Sequence, residues 1–171
     1  MNKKTIVATL VLLLLLLAGG LGYLTFGKIH QRQQAEVTRQ TLPPLSVWTT
    51  DSTQVQYTPP HPNRPTVVVY FNSECSICQY EAQAIYQDSV ALQDANIVML
   101  SSEPLAAIQA FGSHYGLDQR ANIHLFGIDP VAVTQAFGAV SVPSVLIYNS
   151  QRQLVQYYRG ETSTEAIAQH L

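Results

Sequence analysis

The sequence predicts an α/β domain in which helices flank a central mixed β-sheet, preceded by an N-terminal membrane helix. Three observations lead to this prediction. A long apolar run lies close to the start of the chain, short apolar runs alternate with segments of helical periodicity further on, and the last two strand-like runs are joined by a short turn. The length of 171 residues suits one ordinary domain after the membrane helix.

The first element is the apolar run, which is uncharged from Thr5 to Gly27 and includes six consecutive leucines at positions 12 to 17. As a helix, it is long enough to cross the hydrocarbon core of a bilayer. A cleaved secretory signal is the alternative, because Lys3 and Lys4 before an apolar run also fit that pattern. The run continues through Phe26, which is beyond a normal signal core, so we expect residues 1–27 to be a retained anchor.

The segment after the anchor predicts which side of the membrane the domain occupies. Basic residues flank the apolar run on both sides, so the positive-inside rule does not decide the orientation. Only four residues precede the run, and such a short segment stays in the cytoplasm while the rest of the chain crosses the membrane. Residues 28–44 are polar, rich in Gln and closed by Pro43-Pro44, which indicates a stalk. The folded domain is then expected over residues 45–171.

Charge excludes one class of partner. The chain has 9 Lys and Arg against 11 Asp and Glu, a net charge of -2, and no basic stripe that would neutralise phosphates. Nucleic acid is therefore not an expected ligand.

The strands of the domain are predicted by short runs rich in β-branched and aromatic residues. "SVWTT" and "QVQYT", separated by residues 51–53, form a hairpin, and the proline-rich "PPHPNRP" is a loop. "LVQYYRG" follows a turn at residues 149–151 and pairs antiparallel with the run before it. Uninterrupted apolar runs indicate strands buried on both faces; they lie at 66–71, 96–100, 122–126 and 144–148.

The helices are predicted by apolar residues that recur every three or four positions. Ser102 is the expected N-terminal cap of the second helix, with Pro104 in its first turn. In chain order the predicted helices cover residues 78–92, 104–115, 130–137 and 164–171. Together with the strands they give the order β-α-β-α-β-α-β-β-α after the hairpin, which is typical of an α/β sandwich with a mixed sheet.

The candidate chemistry lies in "YFNSECSICQYE", which contains the only two cysteines, Cys75 and Cys78. Cys75 follows a buried strand and Cys78 opens the next helix, where free N–H groups and the helix dipole favour a thiolate. Two cysteines at this spacing can also form and release a disulfide. Inert core thiols and half of a metal site are the alternatives, but His61, His114 and His124 are dispersed, so no metal site and no cofactor are expected.

These motifs resemble the thioredoxin superfamily, and within it the membrane-anchored TlpA/ResA-type thiol-disulfide oxidoreductases of the outer side of bacterial membranes. The resemblance covers residues 45–171. It includes the strand and C-x-x-C of "VVVYFNSECSICQYE", with Glu81 three residues after the second cysteine, and the later "AFGAVSVPSVLIYNSQRQLVQYYRG". The gap from Cys78 to Pro143 leaves room for the additional strand and helix of this branch.

The resemblance implies a thioredoxin-like sandwich and a role for five residues. Cys75 would be the nucleophile and Cys78 the resolving thiol of a redox-active disulfide, and Glu81 would accept the proton of Cys78. Val142 and Pro143, with a cis bond between them, would bind substrate backbone. The implied partners are exported proteins with disulfides and an upstream thiol electron donor. The implied location is the bacterial inner membrane, with one span and the catalytic domain on the periplasmic or extracytoplasmic side.

Two departures from the family keep other functions open. Glu74 stands where the family has Trp, and its carboxylate is expected to oppose ionisation of Cys75. The Ser76-Ile77 dipeptide supplies no cation, which suggests a reductant or a mid-potential exchanger. A peroxiredoxin-like thiol peroxidase shares the extended fold, although its signature has Thr where this chain has Asn72. A redox-inactive, anchored binding module is the other alternative.

Overall fold

A computed structural model describes residues 12–13, 16–17, 19–20, 22–23, 36–138 and 140–171. The chain separates into two compact units, Met1–Gln34 and Ala35–Leu171. Most of residues 1–35, which cover the predicted anchor and the first part of the predicted stalk, lie outside the described residues. The residues of the first unit that are described are helical. Among the described residues, no helix combines the length and the apolar character needed to cross a bilayer. The anchor therefore stays a prediction.

The second unit is built around a mixed sheet whose described part has seven strands, in the order β2-β1-β5-β4-β3-β6-β7. Strands β3, β4 and β5 are parallel to one another, and the outer pairs are antiparallel. The elements are β1 Ser46–Trp48, β2 Gln54–Gln56, β3 Thr66–Tyr70, α1 Ser76–Gln87, β4 Asn96–Ser101, α2 Leu105–His114, a 3-10 turn Leu117–Gln119, β5 Ile123–Gly127, α3 Pro130–Phe137, β6 Ser144–Tyr148, β7 Leu154–Arg159 and α4 Thr164–Ala168. The predicted α/β order and mixed sheet are confirmed.

The central strands are apolar over most of their length because both faces of the sheet are covered. Side chains alternate between the faces along a strand. Val67 and Val69 of β3 pack in one core cluster together with Ile85 of α1. Val68 packs in the other cluster with Phe137 of α3. The uninterrupted apolar runs thus predict the buried strands correctly.

Several helix boundaries differ from the predictions, most clearly the end of α1 and the start of α2. Helix α1 ends at Gln87, although the apolar spacing extends to Leu92, because residues 88–95 turn back toward the sheet. Helix α2 has Pro104 at its N-cap with no side-chain cap, so the prediction of Ser102 as the cap is wrong. Ser102 Oγ instead lies 3.2 Å from the hydroxyl of Tyr70, where it links the ends of two neighbouring strands.

The chain already packs against the sheet before residue 45. Leu42 is buried, and its N–H donates to the carbonyl of Arg152 at 2.7 Å. Arg39 is also buried, with its guanidinium over the ring of Tyr157 and a bond to the carbonyl of Phe137. Residues 39–42, which the sequence assigns to the stalk, therefore belong to the folded unit in the structure.

Candidate functional site

The two cysteines lie where the central strand β3 gives way to helix α1. Cys75 occupies the N-cap position with an extended backbone, and its N–H donates to the carbonyl of Asn72 at 3.2 Å. Cys78 is the third residue of the helix. Both thiols are free; Cys75 is partly exposed, whereas Cys78 is buried. This is the placement that the spacing of the sequence predicts.

The surroundings of Cys75 favour its thiolate. Burial opposes ionisation, but hydrogen bonds from the Cys78 thiol and from the backbone N–H groups of Cys78 and Ile77 outweigh it, and the pKa of Cys75 is lowered. These N–H groups belong to the first turn of α1, which has no earlier carbonyl to bind. The start of the helix therefore favours the charged form of this sulfur.

Cys78 has the opposite tendency. Burial raises the pKa of its thiol to about 12; a bond from the Asn72 backbone opposes this increase, and the neighbouring Cys75 adds to it. The pair is thus asymmetric, because the partly exposed sulfur of Cys75 ionises at a lower pH than the buried sulfur of Cys78.

Glu81 lies one helical turn after Cys78 on the buried face of α1, and only 3% of it is exposed. Within the described part of the chain, neither of its carboxylate oxygens has a hydrogen-bond partner. Burial, with a smaller contribution from the charge of Glu161, raises the pKa of Glu81 to about 8. A charge on Glu81 also raises the pKa of both cysteines. The carboxyl group can therefore change its protonation state near neutral pH beside the two thiols.

The Val142–Pro143 bond is cis, as the resemblance implies. Strands β3 and β6 pair antiparallel with Tyr70 opposite Ser144, so the segment before β6 and the segment after β3 lie at the same edge of the sheet. Val142 is 39% exposed at this edge. Four of the five predicted site residues thus lie at one edge of the sheet, and the fifth, Glu81, lies one helical turn further along α1.

Glu74 does not act as the sequence suggests. Its side chain is exposed, and its N–H donates to Asn72 Oδ1 at 3.0 Å. The pKa of Cys75 is lowered in spite of this neighbour, and the carboxylate that opposes its ionisation is Glu81. Glu74, which the sequence leads one to expect to oppose ionisation of Cys75, is not among the groups that shift this pKa, because an exposed carboxylate is screened by solvent.

One group at the site is absent from the sequence-based predictions. Glu103 accepts two hydrogen bonds from Ser73, which lies two residues before Cys75. The positions of Glu103 and Ser73 in the sequence could have indicated this contact, because Glu103 follows β4 and Ser73 follows β3. The carboxyl ends of neighbouring parallel strands meet at one edge of the sheet. In the described residues, no group of three or more His, Cys, Asp or Glu side chains could hold a metal ion.

Comparison with solved structures identifies the architecture. DsbF of Mycobacterium tuberculosis superposes with a TM-score of 0.62 at 18% identity, over 78% of this chain and 93% of that one. The chain has a thioredoxin-like fold. A secreted M. tuberculosis disulfide oxidoreductase homologous to E. coli DsbE gives 0.58 at 16% identity, over 74% and 87%.

The thioredoxin-like fold is shared by proteins of more than one type. A peroxiredoxin-like protein from Aquifex aeolicus superposes with a TM-score of 0.61 at 10% identity, over 76% of this chain and 82% of that one. No family model and no curated protein matches the sequence. At identities of 10–18%, these similarities establish the fold, and the chemistry has to be argued from the site.

Proposed function

We propose that this chain is a thiol-disulfide oxidoreductase that uses Cys75 as the nucleophile and Cys78 as the resolving thiol. The asymmetry of the pair is the observation that supports it: an accessible sulfur with a lowered pKa contacts a buried sulfur with a raised one. Thiol-disulfide exchange needs one thiolate to attack first and a second thiol that waits for the mixed disulfide. The described structural neighbours include disulfide oxidoreductases with this fold.

In the first step, the Cys75 thiolate attacks one sulfur of a substrate disulfide. A Cys75–substrate disulfide forms, the substrate S–S bond breaks, and the other substrate sulfur leaves as a thiolate. The negative charge has then moved from Cys75 to the leaving sulfur. This change matters for the next step, because the charge and the hydrogen bond of Cys75 are among the causes that keep the proton on Cys78.

In the second step, Cys78 loses its proton and attacks Cys75. The deprotonated form of Glu81 is the group placed to accept that proton, since it lies on the same helix face, is buried and has a pKa of about 8. The Cys75–Cys78 disulfide forms and the second substrate sulfur leaves reduced. Two electrons have passed to the substrate, and a thiol donor must restore the pair.

Val142 and Pro143 are proposed to bind the substrate polypeptide beside Cys75. The support is their position at the same edge of the sheet and the exposure of Val142. A substrate segment in extended conformation can pair with backbone groups there in the manner of an added strand.

We also propose that the protein is a TlpA/ResA-like enzyme of the bacterial inner membrane, with its thioredoxin-like domain on the periplasmic side. The uncharged apolar run at residues 5–27, which as a helix is long enough to span a bilayer, supports a membrane location. The substrates would then be exported proteins, and the donor would be a membrane or periplasmic thiol protein.

The cysteine variants test the reaction. With the reduced full-length chain and insulin as substrate, we expect Cys75→Ser to abolish disulfide reduction. Cys78→Ser should accumulate a substrate-linked mixed disulfide, because the attack that releases the substrate is lost. Non-reducing gels and mass spectrometry measure both outcomes.

Full activity of the Cys75→Ser variant would overturn the assignment. Peroxide provides the control for the alternative chemistry: rapid peroxide consumption by the wild-type chain without insulin reduction would favour a peroxidase. A Cys75–Cys78 pair that never changes oxidation state with glutathione buffers would favour a binding module.

A further inference from the structure

Ser73, two residues before the nucleophile, is bonded on three sides. Its N–H donates to Glu103 Oε2 at 2.7 Å, and its Oγ–H donates to Glu103 Oε1 at 2.6 Å. Its carbonyl accepts a bond from Gln79 Nε2 at 2.8 Å. Ser73 is thus held between the segment that follows β4 and the first turns of α1.

Glu103 is itself fixed to the sheet. Ser101 Oγ donates to Glu103 Oε2 at 2.9 Å and accepts the Glu103 N–H at 3.3 Å. Ser101 is fully buried and is the last residue of β4. Three donors therefore converge on one carboxylate, and bonds to an ionised acceptor are short and strong.

Ser73 is coupled to Cys75 through a short turn. The Cys75 N–H closes the turn on the Asn72 carbonyl at 3.2 Å, and the Glu74 N–H closes a second bond on Asn72 Oδ1. A displacement of Ser73 would therefore move the backbone of Cys75. The contact of its sulfur with the N–H groups of α1 depends on that position.

We propose that Glu103 is a positioning residue for the nucleophile: by accepting both donors of Ser73, its carboxylate holds the 72–75 turn and keeps the Cys75 sulfur at the start of α1. Glu103 acts through Ser73 and takes no part in the exchange steps. The inference rests on the proposed function, since it concerns the reactivity of Cys75 as the attacking thiol.

The Glu103→Gln variant tests this inference. With its amide oxygen toward the Ser73 N–H, the NH₂ group of the new glutamine would donate to Ser73 Oγ, so the two charge-assisted bonds of Ser73 would be replaced by weaker neutral ones. We expect the alkylation of Cys75 by iodoacetamide at pH 7 to slow by about three- to tenfold, because the thiolate fraction falls. The pH profile of the alkylation rate should move to higher pH. Peptide mass spectrometry of the full-length reduced chain separates Cys75 from Cys78.

Asp118→Asn is the matched control. Asp118 Oδ2 accepts a bond from Ser113 Oγ at 2.7 Å near the C-terminus of α2, so the variant neutralises a similar serine-bound carboxylate outside the 72–75 turn. Its alkylation profile should equal that of the wild type. Ser73→Ala loses the Oγ bond and keeps the N–H bond, so its alkylation profile should move in the same direction as that of Glu103→Gln.

An unchanged pH profile in Glu103→Gln, even with a lower melting temperature, would mean that the carboxylate is only structural and would overturn the proposal. If Glu103→Gln does not fold, the pH profile of Cys75 alkylation in Ser73→Ala tests the proposal instead. Alkylation needs no turnover. A wild-type chain that alkylates rapidly at Cys75 but never exchanges disulfides would therefore refute the proposed function and leave the positioning measurable.

Discussion

At the scale of single residues, the site depends on the different acidity of two thiols, those of Cys75 and Cys78. Cys75 and Cys78 are three positions apart, yet the first meets free N–H groups and the second is enclosed by the core. Glu81 completes the set as a carboxyl without a hydrogen-bond partner among the described residues. Burying such a group is costly unless it is neutral, which is why it keeps a proton near pH 7.

Glu81 predicts an unusual dependence of stability on pH. Its pKa is about 8 in the folded chain against an ordinary value of 4.5, so between these values the folded state binds a proton that the unfolded state has released. The stability that the protonated Glu81 contributes to the folded state is fully present below pH 4.5 and is lost as the pH rises through about 8. The free energy of unfolding should fall over this window, by a few kcal/mol at most.

Urea unfolding between pH 5 and pH 8, followed by the fluorescence of the single tryptophan, measures this dependence. Glu81→Gln should remove most of the slope. Glu165→Gln, which deletes an exposed carboxyl, should leave the slope as it is. A wild-type chain whose stability rises steadily over this window would contradict a buried, protonated Glu81.

At the scale of elements, the segment before β1 is as much part of the domain as the strands. Thr41 forms a bridge with Gln153, and the N–H of Leu154 donates to the carbonyl of Gln40 at 2.8 Å. The segment therefore lies along β7 at the edge of the sheet. This contact covers backbone groups of an edge strand that would otherwise be open to pairing with another chain.

The same segment offers a direct comparison of two apolar side chains. Leu42 is 2% exposed, so Leu42→Ala should lower the free energy of unfolding by about 2–5 kcal/mol through lost burial and a cavity. Val37 is 75% exposed, and Val37→Ala should change it by less than about 0.5 kcal/mol. Denaturant titration of both variants measures the difference. Equal, negligible effects would mean that residues 37–42 are a solvated stalk.

At the scale of the whole molecule, one edge of the sheet collects groups that lie far apart in the chain. The parallel pairing of β3 with β4 brings the segment of Glu103 beside that of Ser73. The antiparallel pairing of β3 with β6 brings Pro143 to the same edge. Ligand sites of open α/β sheets commonly lie outside the carboxyl ends of the strands.

The proposed location predicts how the full-length chain behaves in bacterial cells. The chain should remain with the membrane after an alkaline carbonate wash, because residues 5–27 would span the bilayer. Protease added to spheroplasts should digest the domain. A chain that begins at residue 28 is the control and should stay soluble and protected inside the cell. Protection of the full-length domain in spheroplasts would place it in the cytoplasm.

Much of the fold was predictable because its signals are local. Apolar runs of strand length predict β3, β4, β5 and β6, and the turn at residues 149–151 predicts the final hairpin. The helix boundaries were less accurate. Residues 88–95 keep apolar positions such as Leu92 for the core without being helical, so spacing alone does not show where α1 ends.

By itself, the sequence determined the order of the elements and the place of Cys75 and Cys78 at the start of a helix. These features follow from the period of the apolar residues and from the spacing of the two cysteines, and both are local properties of the sequence. The tertiary structure alone decided that Cys78 is buried while Cys75 is partly exposed, that Glu81 is enclosed, and that Glu103 binds Ser73. Burial by the packed core sets the first two properties, and the third joins residues 30 positions apart that only the paired sheet brings together.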